Sequence, residues 1–185
     1  MQNSLSVFLF LAVSMYAGTA SAQRFFTRDG KVRFFSEAKL ENIEAINKSG
    51  TAVFDIASGK MEWKVLIKNF LFEKALMQEH FNENYMESTR YPAATFKGYV
   101  TNLGEVKFDT DGTYPVTVKG KMNLHNVERD AEVTGTITVA GDQLVVHSDF
   151  TIKCSDYNIK IEAQKVSNIS NNIKVTVDAT LAPMN

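Results

Sequence analysis

Cysteine is nearly absent from this chain: Cys154 stands alone. A single cysteine cannot close an internal disulfide, so the fold has to be held by its core. Cys154 itself reads as a small buried residue rather than a nucleophile. Histidine is scarce as well. His80, His125 and His147 show no i, i+4 spacing, and no second cysteine could complete a ligand set, so no metal is expected. The bland reading is three solvent-facing or hydrogen-bonded imidazoles; the rival is a metal site assembled from distant strands. Neither G-x-S-x-G, a P-loop nor G-x-G-x-x-G occurs, so the chain shows no sign of a serine nucleophile and no cofactor is expected. Acidic pairs such as Asp109 with Asp111, or Glu128 with Asp130, fall in polar or turn contexts and read as solvated charge. Excess charge is missing too. With 20 basic and 21 acidic residues the net charge is −1, which offers no footprint for nucleic acid or an anionic membrane. Finally, no apolar run is long enough to cross a bilayer. The longest, 5–16, covers about a dozen residues where a span needs about twenty.

That short run has its own meaning. Residues 1–22 carry no charged side chain, and Ala20 and Ala22 sit where a signal peptidase requires small residues. The pattern predicts a signal peptide over 1–22 with cleavage before Gln23. The rival is an anchor that is never cleaved, because Met1, Gln2 and Asn3 supply no Lys or Arg. No cysteine follows the run, which argues against a lipid-modified N-terminus. The remainder, 23–185, suits one domain with a sizeable core. Export to the periplasm or the extracellular space is the implied localisation.

From Gly50 onward the chain alternates with period two. Met61, Trp63, Val65 and Ile67 share one face; Glu62, Lys64 and Lys68 share the other. The same holds for Val116, Val118, Met122 and Leu124, for Leu144, Val146, Phe150 and Ile152, and for Ile173, Val175, Val177 and Leu181. One apolar and one wet face per strand means antiparallel strands around a shared interior. The expected strands are 30–37, 51–57, 60–69, 93–101, 113–124, 129–140, 143–153 and 172–182. Turn signals at Ser58-Gly59, Asp111-Gly112, His125-Asn126 and Gly141-Asp142 separate several of them. About eight strands must close into a barrel or split into a sandwich to protect their edges. One stretch breaks the rhythm. Residues 73–84 are rich in helix formers, and Leu76, Met77 and Phe81 can share a face, so a short helix over one end of the sheet is expected.

The chain is rich in aromatics, with 13 Phe, 6 Tyr and 1 Trp. Phe70 and Phe72 directly precede the helical stretch, and Phe81 and Tyr85 fall in or after it. An ordinary aromatic core explains such a cluster; so does an apolar cavity with an aromatic lid, since small barrels can hold one ligand.

Three segments carry a family resemblance. HFNENYMESTRYPAATFKGYV at 80–100 supplies His80, Phe81, Tyr85, Glu87, Tyr91, Pro92, Thr95, Phe96 and Lys97. VKGKMNLHNVERDAEV at 118–133 gives a strand, a polar turn and a strand. DFTIKCSDYNIK at 149–160 gives a Phe followed by Ser-Asp-Tyr-Asn-Ile. Together they resemble the YceI-like family of exported bacterial lipid-binding proteins. The turn His125-Asn126-Val127-Glu128-Arg129 departs from the family's usual pattern, and residues before Gly50 match loosely. The resemblance implies a lipocalin-like, eight-stranded antiparallel barrel with a helical segment near its opening. It also implies a carrier of a long apolar lipid (a polyisoprenoid, an isoprenoid quinone or a fatty-acid derivative), often dimeric, with no enzyme activity. Alternation within strands and the aromatic cluster nominate Trp63, Val65, Ile67, Phe70, Phe72, Leu76, Phe81, Phe96, Met122, Leu124, Phe150 and Ile152 as the ligand-binding lining. The alternative is a secreted stress-related interaction module with a filled core. As an enzyme the chain would have one candidate, His80, beside the expected lid.

Overall fold

Alternating residues keep one face dry when the sheet curls back on itself, and here it does. The computed structural model describes residues 23–38, 40–162 and 168–184. The expected signal peptide, 1–22, lies outside the described residues. Among the described residues nine strands follow in chain order: β1 (Arg24–Ser36), β2 (Ile43–Asp55), β3 (Lys60–Leu66), β4 (Leu71–Phe72), β5 (Ala93–Val100), β6 (Gly112–Leu124), β7 (Val127–Ala140), β8 (Gln143–Lys153) and β9 (Asn172–Pro183). Every pairing is antiparallel. The order β1-β9-β8-β7-β6-β5-β3-β2 closes through a β1–β2 pairing into an eight-stranded barrel. The two-residue β4 hangs on the outer end of β2 through Ala45↔Phe72 and Ile46↔Leu71.

Tight hairpins set the register. His125 and Asn126 join β6 to β7 with φ of 53° and 59°, the paired left-handed geometry of a type I′ turn. Gly141, with φ of 61°, opens the two-residue link from β7 to β8. In the β3–β5 connection, the helix expected at 73–84 is α1 (Ala75–His80) followed by one π-helical turn over Phe81–Tyr85, closed by Met86 N–H donating to Phe81 O at 2.8 Å.

Two strands begin well before the expected positions. β1 begins at Arg24 rather than 30, and β2 begins at Ile43 rather than 51. In β1 the pairing register shifts around Gly30, so alternation is broken there. In β2 the inward position before Gly50 is Asn47, fully buried and polar. Its Nδ2 donates to Leu66 O at 2.8 Å, and its Oδ1 accepts from Ser49 N–H and Oγ–H at 2.9 Å each. A satisfied buried amide is stable, but it hides the strand from a hydrophobicity pattern. The strand expected at 60–69 ends at Leu66 and gives way to a 3₁₀ turn at Ile67–Asn69.

The barrel has two unlike halves. At the base, where β1 starts, Phe25, Phe54, Ile137, Leu144 and Leu181 form a filled core. Val106 and Phe108, from the β5–β6 connection, plug that end; Phe108 lies 6.0 Å from Phe54 between ring centroids. A second cluster lies at the other end, the mouth, where the 67–92 excursion and the 154–162 segment lean over the strands. Glycine lets the wall turn between them. Gly98 and Gly120 are paired across β5 and β6, and a Cβ on Gly120 would sit 2.3 Å from Lys97 O.

Candidate ligand cavity

Between the filled base and the mouth lies a cavity of about 590 Å³, within the size range of small-molecule sites. All twelve nominated residues border it. Trp63, Phe96 and Met122 form one level, because they are paired in register across β3, β5 and β6. The Trp63 ring fits there because Gly30 lacks a side chain; a Cβ on Gly30 would meet the indole at 2.8 Å. Val65 and Leu124 sit one level nearer the mouth. Phe150 and Ile152 complete the wall from β8, paired with Val175 and Ile173 of β9. Ile67 and Phe70 are buried at the start of the excursion, while Phe72 and Phe81 are half-buried above them. Leu76 borders the cavity from the rim and is 61 % exposed.

The aromatic lid is a nest of four rings. Phe34 packs on Phe70, Phe72 and Phe81 at 5.4, 5.7 and 5.4 Å between centroids. Phe81 also packs on Phe72 at 5.0 Å and on Phe70 at 5.7 Å. Such pairs add about 0.5–1.5 kcal/mol each beyond area burial, so the four rings hold together as a unit. The π-helical turn serves it: Phe81, Tyr85 and Met86 all reach the cavity from one widened turn. Burial and then the Glu162 carboxylate push the Tyr85 phenol above its ordinary value. Polar groups gather at the rim. Lys74 Nζ donates to Glu41 Oε1, tying the excursion to the β1–β2 connection, and this contact holds the ammonium above its ordinary value. His80 is exposed and borders the cavity beside them.

The sequence reading missed Phe34, the hub of the lid, although it alternates with Arg33 and Phe35 beside Val32. It also missed Met86, Ile159 and Ile161, which approach the mouth from segments without strand periodicity. Cys154 is buried in the wall, and burial pushes its thiol up to about 11. His125 is buried, its Nδ1 3.1 Å from Tyr157 O and its Nε2 3.3 Å from Glu87 Oε1. His147 lies on the outer face between two carboxylates, Asp178 at 2.7 Å and Asp149 at 3.0 Å. The hydrogen bond to Asp178 is the largest influence and raises its pKa; burial opposes it, and the hydrogen bond to Asp149 adds to the rise. Among the described residues, no group of three His, Cys, Asp or Glu side chains is placed to hold a metal ion.

Comparison with known proteins gives the geometry a context. A family model of the YceI-like domain matches residues 9–181. No curated protein matches the sequence. The barrel superposes on a polyisoprenoid binding domain from Saccharophagus degradans, implicated in plant cell wall breakdown, with a TM-score of 0.75 and 14% identity, over 88% of this chain and 99% of that one. It is also similar to BcnA of Burkholderia cenocepacia, with a TM-score of 0.68 and 18% identity over 83% of this chain and 96% of the other. The YCEI protein of Campylobacter jejuni gives 0.62 and 18% over 80% and 89%. At such identities the likeness is one of fold.

Proposed function

This chain belongs to the YceI-like family, and from that premise we propose that it is an exported carrier that holds one long apolar lipid chain in the upper half of its barrel. The cargo class is a polyisoprenoid, an isoprenoid quinone or a fatty-acid derivative. The observation that carries this reading is the cavity itself: about 590 Å³ bounded by Trp63, Phe96, Met122, Phe150 and the phenylalanine lid. The similar Saccharophagus degradans domain is named for polyisoprenoid binding, which supports the same cargo class.

Volume sets the scale. A methylene is close to a water in size, so at about 30 Å³ each the cavity takes on the order of twenty. At roughly 0.8 kcal/mol per buried CH₂, that is on the order of 15 kcal/mol gross. Lost translational and rotational freedom opposes it by about 4–15 kcal/mol. The surplus is then on the order of 0–11 kcal/mol, so apolar burial supplies the driving force and the polar terminus needs only a wet place to rest. The rim formed by Glu41, Lys74 and His80 is such a place. Nothing in this mechanism requires a bond to be made or broken, so the reading is a binding protein rather than an enzyme.

The test is mass spectrometry of the organic extract from protein purified out of its native envelope, with the N-terminus sequenced on the same sample. A stoichiometric long-chain lipid and a chain starting at Gln23 are the expected results. A clean extract, together with no uptake of an added C20 isoprenoid, would refute the carrier.

A further inference from the structure

Among the described residues, the ladder does not run the full length of every strand pair. β7 pairs with β6 over its whole length, from Gly112↔Val139 to Leu124↔Val127. β8 pairs with β9 from Leu144↔Leu181 to Lys153↔Asn172. Between β7 and β8, however, the ladder runs only from Ala140↔Gln143 to Gly135↔Ser148. Toward the mouth, 127–134 of β7 and 149–153 of β8 take no part in that ladder. Both ends of this seam are pinned. Ser148 Oγ donates to Thr134 O at 2.6 Å where the ladder stops. At the far end Arg129 Nε donates to Asp156 O at 2.9 Å.

The cavity runs to the same seam. Its lining includes Val133 and Phe150, which alternation turns inward, and also Thr134, which alternation turns outward just past the last rung of the ladder. Thr134 is exposed. The cavity therefore borders the edge of β7 that this ladder leaves unpaired. The inner flanks are apolar, with Val133 on one side and Phe150 and Ile152 on the other. The β8 side is held in place from behind, since His147 and Asp149 bond to Asp178 and Thr176 of β9.

We propose that the seam between β7 and β8 is a side door through which the apolar chain enters and leaves the cavity. It rests on the reading of the cavity as a lipid site, and it assigns the lid a different task. The four-ring lid and the Lys74–Glu41 contact can stay shut while cargo exchanges sideways. A door changes the height of a barrier and not the depth of the bound state, so closing it slows uptake and release by one common factor.

The test straps the door from outside. Continuing the register beyond Gly135↔Ser148 would bring Glu132 opposite Thr151, and both are exposed. The double variant Glu132→Cys, Thr151→Cys is bridged with a bis-maleimide, and mass spectrometry verifies the bridge. Uptake and release of a fluorescent long-chain fatty acid are then followed by stopped flow, with Trp63 as donor. Both rates are expected to fall together by about tenfold or more while Kd stays put. The same bridge across the sealed β6–β7 pair, in Lys119→Cys, Glu132→Cys, is expected to leave both rates unchanged. Unchanged rates in the strapped door would overturn the proposal and assign exchange to the mouth. A protein that takes up no apolar probe even unstrapped refutes the carrier reading, and the door falls with it. A second measurement needs no variant. Amide exchange across 127–134 should show fast amides on the β8-facing edge beside slow ones bonded to β6. Uniform protection there would overturn the door while leaving the carrier standing.

Discussion

Two phenylalanines that look alike in sequence should behave differently when truncated. Phe54 is 0 % exposed in the filled base and packs against Phe108. Phe54→Ala leaves a hole that the surrounding rings cannot close, so it should cost about 3–5 kcal/mol. For a domain of this size that is a fall in Tm of roughly 6–20 °C, at about 2–4 °C per kcal/mol. Phe150 is half-buried and borders the cavity. One side of its ring faces open space, so truncation gives up less dispersion attraction; Phe150→Ala should cost roughly 1–2 kcal/mol. Its effect belongs to the ligand instead. A weakening of about 1.4 kcal/mol lowers affinity for an apolar probe about tenfold. The assays are thermal unfolding by circular dichroism and titration of a long-chain probe read by emission from Trp63, the chain's one tryptophan. Equal falls of Tm in the two variants, with probe affinity unchanged at Phe150→Ala, would mean that the upper half is packed and the reasoning is wrong.

Three further outcomes are expected. Gly120→Val must push a Cβ into Lys97 O, and overpacking of this kind costs about 1–3 kcal/mol; urea unfolding with an unchanged midpoint would show that β5 and β6 yield freely. His147 has a pKa raised above its ordinary 6.5 by Asp178 and Asp149. Its stabilising contribution is therefore full below pH 6.5 and fades as pH rises through the raised value. Asp149, lowered chiefly by the Thr176 hydroxyl and further by His147 and Arg33, contributes above its ordinary 3.8 and fades as pH falls through its folded value. A Tm profile of His147→Gln that parallels the wild type above pH 6 would contradict the first half of this. Cys154, buried with its thiol pushed up to about 11, should resist iodoacetamide at pH 8 in the folded protein and react on denaturation. Labelling at equal rates in both states, read by intact mass, would place it outside the core.

Much of this architecture can be read in the chain because a strand's alternation is a local property. Trp63, Phe96 and Met122 each announce their facing within a few residues, and closing the sheet brings them to one level. What the pattern cannot show is how distant segments meet. Phe34 becomes the hub of the lid only because β1 and the 67–92 excursion converge at the mouth. Gly30 looks like a flexible residue in sequence, yet it is the slot for an indole supplied by β3. Asn47 looks like a loop residue, and its two-sided hydrogen bonding makes it part of a strand. Ile159 and Ile161 carry no periodicity because they cross the mouth as irregular chain. The seam is only faintly marked: β8 alternates through it, while β7 carries Arg129 where its register calls for an inward apolar residue, and neither pattern says that their pairing stops at Gly135.

For a carrier, the plugged base would act as a ruler. Val106 and Phe108 close the floor, and Phe54 and Leu181 pack behind it. On the reading proposed above, a hydrocarbon that reached this floor would go no deeper, so each added carbon would lie nearer the opening and then beyond it. Short chains would vanish whole, whereas long ones would leave a protruding end. The barrel would thereby convert the length of a featureless chain into the height of a group above its surface.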